Sequence, residues 1–321
     1  MDRNSEELQT LGFIGIFKET YKTIFTWKKI FTQFTLAFIF PISALMLSFF
    51  HLSELLVRKI HNNLYFHDYA ASRTKWIILG FSTSAYLLVI ITLSLLSTSA
   101  MVYIIGCIYT ATEFSFKTVI IAVPKVFKRI LGPHIWTMVV YQTYVQFFSM
   151  LFPMCIWNVL GAPNNWLMLV VLSVTILTCI VCGLHNFNWH VSCLVSIFED
   201  KYGNPALDKS MNLIVRRKFW ATTFNVCAIQ IDVLLIEVSY YLFIVHSTSL
   251  GVITKVILGV VCFLLLSETI LSCFVFQSLL YFVCKSYLHE NIDKLVLKGH
   301  LEAYRHRVCP IEGGEGSSAA V

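Results

Sequence analysis

Charged and polar residues inside long apolar stretches are the residues of this chain best placed to do chemistry. Asp232 and Glu268 each lie near the middle of such a stretch, and His185, Asn186 and His190 lie in an earlier one. An ionisable group at membrane depth costs several kcal/mol and is a functional candidate by default. Carboxylates that face an imidazole can relay protons or bind cations, so these residues indicate a polar site in a transporter of a small solute or ion.

The same residues also have a structural interpretation, in which they form hydrogen bonds between helices and hold no substrate. His185 and His190 are five positions apart, about 140° around a straight helix of 3.6 residues per turn, so they cannot both face one metal ion. Asp232 and Glu237 are separated by the same angle, whereas Asn186 and His190 share a face. We favour the structural interpretation and keep Asp232, Glu268 and His190 as the transport alternative.

The sequence contains no recognised enzyme site. A Gly-rich phosphate loop, an H-E-x-x-H motif and a G-x-S-x-G motif are all missing from it. Glu199 and Asp200 adjoin at the end of an apolar stretch, where we interpret them as a solvated helix end rather than a catalytic pair. We therefore predict a protein that is not an enzyme and needs no cofactor or metal. Cys284, next to Lys285 at the end of another stretch, is a candidate for S-acylation.

The elements that would position these residues are membrane-spanning helices. The chain has 57% hydrophobic and 13% charged residues, against about 25% charged in ordinary soluble domains, so most of its outer surface must meet lipid. A bilayer core of about 30 Å requires about 20 apolar residues in a helix. Six stretches meet this requirement: residues 30–50 (with Pro41), 76–106, 134–160, 166–198, 219–246 and 252–284. Proline within a spanning helix predicts a local kink rather than a break.

The basic residues predict the orientation of these spans. Nineteen of the 24 lysines and arginines fall in segments that six spans would place on one side. Because basic residues accumulate on the cytosolic side, both ends of the chain are expected in the cytosol. The expected membrane is that of the endoplasmic reticulum or Golgi, or the plasma membrane. The basic residues adjoin apolar spans instead of forming a separate module, so nucleic acid is not an expected partner.

Segments 17–31, 116–131 and 207–220 share one pattern, in which a lysine is followed by apolar residues at helical spacing and then a basic cluster. This pattern is typical of an amphipathic helix at the membrane interface. We predict an all-α fold of six transmembrane helices in three hairpins, each preceded by a cytosolic interfacial helix. Residues 1–29 form the N-terminal segment, 30–284 the membrane domain and 285–321 the tail. Anionic lipid headgroups are the expected partner of the basic clusters: Lys28, Lys29, Lys128, Arg129, Arg216, Arg217 and Lys218.

Three segments of the sequence resemble those of a known family. They are LGFIGIFKETYKTIFTWKKIFTQFTLAFIFP at 11–41, YTATEFSFKTVIIAVPKVFKRI at 109–130 and FQSLLYFVCKSYLHENIDK at 276–294. They resemble a group of plant six-span membrane proteins of uncharacterised function. More remotely, the chain resembles the membrane domain attached to some glycerophosphodiester phosphodiesterases, without the catalytic domain. The resemblance implies a polytopic fold and a plant cell, and it transfers no site residue. Because the sequence lacks a catalytic set of residues and has a basic and aromatic cytosolic rim, the expected function is that of a non-enzymatic scaffold, trafficking or lipid-organising factor.

Overall fold

A computed structural model describes residues 13–65, 69–128, 188–199, 203–215, 219–247 and 250–287, together with single positions at 130, 173, 177, 181 and 184 and the short segments 297–299 and 301–302. Within this part of the chain every regular element is a helix and no residue is in a strand. The prediction of an all-helical protein is therefore confirmed for the residues described.

The chain begins with two short helices that meet at an elbow. Helix α1 covers Phe13–Thr26 and α2 covers Lys28–Phe34, with Trp27 between them. A π-helical turn, Thr35–Ile39, joins α2 to the long helix α3, Phe40–Tyr65. Proline has no N–H to donate and its ring clashes with the preceding turn. The π turn lies just before Pro41, where it accommodates that clash, and the helix continues without a break, as the sequence predicted.

Two of the later helices are much longer than a bilayer core. Helix α4, Tyr69–Tyr109, has 41 residues, and at 1.5 Å per residue it is about 61 Å long. Helix α9 covers the 36 residues Val252–Tyr287 and is about 54 Å long. Each can cross a hydrocarbon core of about 30 Å and still extend more than about 20 Å beyond it.

The helices between α4 and α9 complete the described fold. Helix α5 covers residues 116–128, and α6 covers residues 188–198. Helix α7 is Asn204–Val215, and α8 is Phe219–Tyr240, extended by a π-helical turn at Tyr241–His246. Helix α3 packs along α4, α8 packs along α9, and α1 packs on α9.

Four of these segments are long and apolar enough to cross a membrane: Lys28–Phe49, Thr74–Tyr109, Cys227–Val245 and Val252–Ser286. They coincide with the first, second, fifth and sixth spans predicted from the sequence. The predicted third span, 134–160, lies outside the described residues. So does most of the fourth, 166–198, of which the described part is mainly α6.

The three segments predicted as interfacial helices are helical where the structure describes them, in α1 and α2, in α5 and in α7. Each buries residues three or four positions apart, as one face of a helix requires. These buried residues are Ile16, Thr20 and Thr23 in α1, Val119, Ala122, Val123 and Val126 in α5, and Ala206, Ser210 and Leu213 in α7. All three helices pack one face onto the same body of the protein.

The packed core occupies one end of the long helices. In α9, residues 275–286 are buried at every position, whereas exposed side chains recur from Val252 to Leu265. Helix α4 is likewise buried from Leu95 to Ile108, except at the partly buried Leu96, and carries exposed apolar side chains between Trp76 and Val89. The molecule thus has a densely packed half, which includes α1, α5, α6 and α7, and a half with a large exposed apolar surface.

Candidate functional site

Glu199, the residue that follows α6, is the centre of a buried ionic cluster in the packed half. Its Oε1 accepts a hydrogen bond from Lys285 Nζ at 2.8 Å and another from the Tyr281 hydroxyl at 2.9 Å. Its Oε2 forms an ion pair with Lys209 Nζ. The side chain of Glu199 is only 8% exposed. Glu199 therefore joins the end of α6 to α7 and α9.

The helices explain why these groups converge. Tyr281 and Lys285 are four residues apart in α9 and so lie on one face of that helix. In α7, Ser210 follows Lys209, and its hydroxyl donates a hydrogen bond of 2.5 Å to Asn188 Oδ1 at the start of the described part of α6. Helices α6 and α7 are therefore joined at two points, which orients Lys209 toward the carboxylate.

Opposing effects determine the charge of Glu199. Burial alone raises the pKa of this carboxyl, but the hydrogen bonds from Lys209, Lys285 and Tyr281 and the charge of Lys285 outweigh burial and hold its pKa below the ordinary value. The carboxylate is ionised at neutral pH and faces two ammonium groups. A carboxylate held in this state is a poor proton acceptor, so the cluster is suited to fixing helices rather than to general base catalysis.

The sequence-based interpretation of Glu199 as a solvated helix end was therefore wrong. The acidic pair at the end of an apolar stretch was visible in the sequence, but its partners lie 10 and 86 positions along the chain. No local spacing rule connects residues that far apart. Asp200, the second member of the pair, lies outside the described residues.

The structure separates the predicted intramembrane residues. Asp232 and Glu268 are both exposed. Burial, followed by the charges of Glu268 and Asp232, raises the pKa of Tyr21 in α1, so both carboxylates lie within electrostatic reach of that one hydroxyl. These two residues therefore share the outer surface beside α1.

His190 lies in the interior instead. It is 2% exposed, and its ring centroid lies 5.6 Å from that of Phe274. Neither of its ring nitrogens has a hydrogen-bond partner among the described residues. His190 thus points into the packed half while Asp232 and Glu268 face outward. His185 and Asn186, the other members of the predicted polar site, lie outside the described residues.

The elbow between α1 and α2 carries a basic and aromatic surface. We define the elbow surface by its exposed lysines, Lys18, Lys22, Lys28 and Lys29, and its exposed aromatic residues, Tyr21, Phe25 and Trp27. Phe25 is 72% exposed. The Trp27 ring stacks on Phe114, with centroids 5.8 Å apart, which ties the elbow to the loop before α5.

The remaining predicted lipid contacts divide into two groups. Lys128, near the end of α5, is exposed like Lys28 and Lys29. The others, Arg129, Arg216, Arg217 and Lys218, lie outside the described residues. Cys284, in contrast, is 6% exposed and belongs to the hydrophobic core. An acyl donor would have to reach a thiol packed inside the protein, so this position does not fit S-acylation.

The chain belongs to a family described as a domain of unknown function (DUF8558), whose model matches residues 1–315. No curated protein and no solved structure matches the chain.

Proposed function

We propose that this member of the DUF8558 family is a non-enzymatic, multi-pass membrane protein that organises anionic lipids at its cytosolic face. In this proposal six spans form three hairpins, each preceded by an interfacial helix, with both termini in the cytosol of a plant cell. The membrane is that of the endoplasmic reticulum or Golgi, or the plasma membrane. A scaffold or trafficking role follows from holding lipids and partner proteins at this face. The elbow surface is the observation that carries the proposal.

The chemistry of the elbow surface matches an anionic membrane interface. Lysine near an anionic leaflet contributes on the order of 1 kcal/mol per residue. An aromatic side chain such as Phe25 adds about 1.5–3 kcal/mol when it passes from water into an apolar environment. Lysine stems can lie along the acyl boundary while their ammonium groups remain among the headgroups. Alternating lysine and aromatic residues therefore favour lipid contact over simple solvation.

The elbow surface is also held rigidly. Ile16, Thr20 and Thr23, on the other face of α1, are buried, and the ring centroids of Phe17 and Phe276 lie 5.0 Å apart, which packs α1 onto α9. A surface that is already ordered loses little conformational entropy when it binds. The elbow surface is thus preorganised for binding lipid headgroups.

Helix α5 repeats the pattern on a smaller scale. Its exposed residues include Lys117, Ile120, Ile121 and Lys128. Because α1 and α5 both pack on the same core, their outward faces belong to the same half of the molecule. Two basic and apolar surfaces in one half support a lipid-binding face rather than an isolated basic loop.

The placement of the ionisable residues favours this proposal over the transport alternative. A relay through Asp232, Glu268 and His190 needs the three side chains to converge. Two of them face outward and the third is buried in the packed half. Lipid organisation requires no such convergence.

The proposal is tested with purified protein in vesicles that contain spin-labelled phosphatidylserine or phosphatidylcholine. Electron paramagnetic resonance gives the association of each lipid with the protein relative to the other. We expect the double variant Lys28→Gln and Lys29→Gln to reduce the preference for phosphatidylserine by up to about 30-fold, because each lysine contributes on the order of 1 kcal/mol. High salt should bring the wild-type protein close to the variant.

Two control variants make this test specific. Lys28→Arg with Lys29→Arg keeps both charges and should keep the lipid preference. Arg58→Gln with Lys59→Gln removes the same amount of charge from exposed positions of α3 that are far from the elbow along the chain. This variant should have a smaller effect. An equal loss in both neutralised variants, or no loss in either, would contradict the proposal.

A further inference from the structure

Asp232 and Glu268 interrupt the apolar outer face of the hairpin formed by α8 and α9. Both side chains are exposed. Three residues after Asp232 in α8, Leu235 is exposed as well, and Leu264 and Leu265 are exposed one turn before Glu268 in α9. Side chains three or four residues apart lie on one face of a helix. Each carboxylate therefore belongs to an exposed surface that is otherwise apolar.

The packing of the hairpin places the two carboxylates at nearly one level. Helices α8 and α9 are joined by a short turn and pack along each other, so they run antiparallel. Ile244 Cδ1 lies 3.7 Å from a Cβ atom built on Gly259. Asp232 comes twelve residues before Ile244 and Glu268 nine residues after Gly259, so their levels differ by about 4.5 Å. Their charges also contribute, after burial, to the raised pKa of Tyr21 in α1, as expected for one shared side.

Asp232 lies deep in any membrane that α8 crosses. It comes 13 residues after Phe219 and 14 before His246, the two ends of α8 with its π-helical extension, so it is about 20 Å from each end. A hydrocarbon core of about 30 Å lying anywhere within this helix leaves Asp232 at least about 9 Å from both surfaces. Aspartate lacks the long stem by which lysine and arginine reach the headgroups. A carboxylate facing hydrocarbon at this depth is strongly unfavourable and requires a partner.

The chain itself offers no lysine or arginine at this level. Neither acid forms an ion pair with another described residue. The six predicted spans contain a single lysine or arginine, Lys255, whose Nζ donates a hydrogen bond to the carbonyl oxygen of Ser247 at the turn of the hairpin. Lys255 is 13 residues from Glu268, about 20 Å along α9. A second copy of the chain would bring the same acids to this face and no further cation.

We propose that this face of the hairpin binds a membrane-spanning helix of a partner protein that carries a lysine or arginine near its middle. Lipid tails are as apolar as leucine, so the apolar part of the face does not by itself distinguish a helix from lipid. A cation opposite Asp232 and Glu268 does distinguish them, because opposite charges within a membrane satisfy each other. The inference names a class of partner for the proposed scaffold role and rests on the membrane-crossing part of the proposed function.

A synthetic helix tests this docking site. The probe is a labelled, membrane-spanning peptide of leucine and alanine with one central arginine. Energy transfer from donor-labelled full-length protein in phosphatidylcholine vesicles measures its association. We expect the arginine peptide to associate at least about threefold more strongly than the same peptide with a central leucine, as polar contacts between membrane helices do. An arginine moved to the end of the peptide should lose this advantage, because it would lie away from the level of the acids.

Variants of the two acids make the test specific. Asp232→Asn with Glu268→Gln should lower the association of the arginine peptide to that of the leucine peptide. The matched control is Glu237→Gln, which removes an acid from a partly buried position five residues along α8 and should keep the preference for arginine. Asp232→Lys with Glu268→Gln should instead prefer a peptide with a central glutamate. Such a reversal follows from charge pairing and not from a change in packing.

Equal association of the arginine and leucine peptides with the wild-type protein would overturn the docking site, as would an arginine preference that persists in the double variant. Energy transfer between copies of the protein that the arginine peptide cannot reduce would identify a second copy as the occupant and also overturn it. Matching thermal unfolding of the double variant and the wild-type protein shows that the variant folds. The lipid test at the elbow uses no peptide, so its failure would leave the peptide result in place.

Discussion

Glu199 shows how a buried charge is kept ionised. Its desolvation opposes ionisation, but three hydrogen-bond donors from two other helices reverse the effect. The interior site depends on every partner, since removal of the carboxylate takes the shared counter-charge away from Lys209 and Lys285. Its contribution is therefore seen best by removing the acid and not a lysine.

Replacing this acid tests the cluster at the scale of one residue. Glu199→Gln should destabilise the protein by about 3 kcal/mol, because it leaves two largely buried ammonium groups without their carboxylate. Unfolding by a denaturing detergent in mixed micelles measures the change. The control is Glu302→Gln, which removes an acid from an exposed pair with Lys298 at 3.9 Å and should alter stability by less than about 0.5 kcal/mol.

The pH dependence of the same comparison has a defined sign. Because the pKa of Glu199 is lower in the folded protein than in the unfolded chain, its contribution is complete above the ordinary carboxyl pKa of about 4.3. The contribution is lost as pH falls through the lowered value of the folded state. The stability difference between the wild-type protein and Glu199→Gln should therefore shrink in acid. A difference that stayed constant from neutral to strongly acid pH would contradict the ionic account.

At the scale of elements, the packed half depends on a close approach of helices at Gly106 in α4. A Cβ atom built on this residue would lie 3.2 Å from Phe198 Cε1 of α6 and 3.2 Å from Leu301 Cδ2. A larger side chain would have to displace both neighbours. Gly80, in the same helix, has nothing within 4 Å of such a Cβ atom. One helix thus contains a glycine required by packing and a glycine that packing does not require.

These two glycines give a matched pair of variants. Gly106→Leu should destabilise the protein by about 1–3 kcal/mol or more, because overpacking forces the helices apart. Gly80→Leu should be neutral or stabilising, since leucine has a higher helix propensity than glycine by up to about 1 kcal/mol. Thermal unfolding of both variants in detergent provides the measurement. Equal destabilisation by the two changes would show that α4 is not closely packed at Gly106.

For the whole molecule, the division into two halves determines how the chain can lie in a membrane. The exposed apolar residues of α4 and α9 belong to one half, and the residues buried on all sides belong to the other. Lipid can replace water around the first half, while the second half excludes solvent by its own packing. The basic elbow surface lies with the packed half, the side that the proposed topology assigns to the cytosol.

The proposed topology gives the prediction at this scale. Tags at the N and C termini should both be digested by protease added to the cytosolic side of intact vesicles. A tag inserted in the sequence GAPNN, residues 161–165, should be protected until the membrane is opened. The protein should remain in the membrane fraction after extraction with alkaline carbonate. Protection of one terminus would contradict an even number of spans.

The sequence by itself determined the class of this protein and the kind of elements it contains. Long apolar stretches with few charges form helices because hydrocarbon offers no partner for backbone N–H and C=O groups. Amphipathic spacing identified the segments of α1, α5 and α7 because burial of one helix face repeats every three to four residues. These conclusions depend only on the spacing of apolar and charged residues along the chain, which can be read directly from the sequence.

The tertiary structure alone decided which polar residues meet. Asp232, Glu237 and Glu268 are alike in sequence, yet Asp232 and Glu268 are exposed whereas Glu237 is partly buried. Glu199 interacts with partners in α7 and α9, and Tyr240 forms a hydrogen bond with His51, which lies 189 positions away in the sequence. The rotation of each helix about its axis determines such contacts. That rotation is set by packing against all neighbouring helices together, and no single segment encodes it.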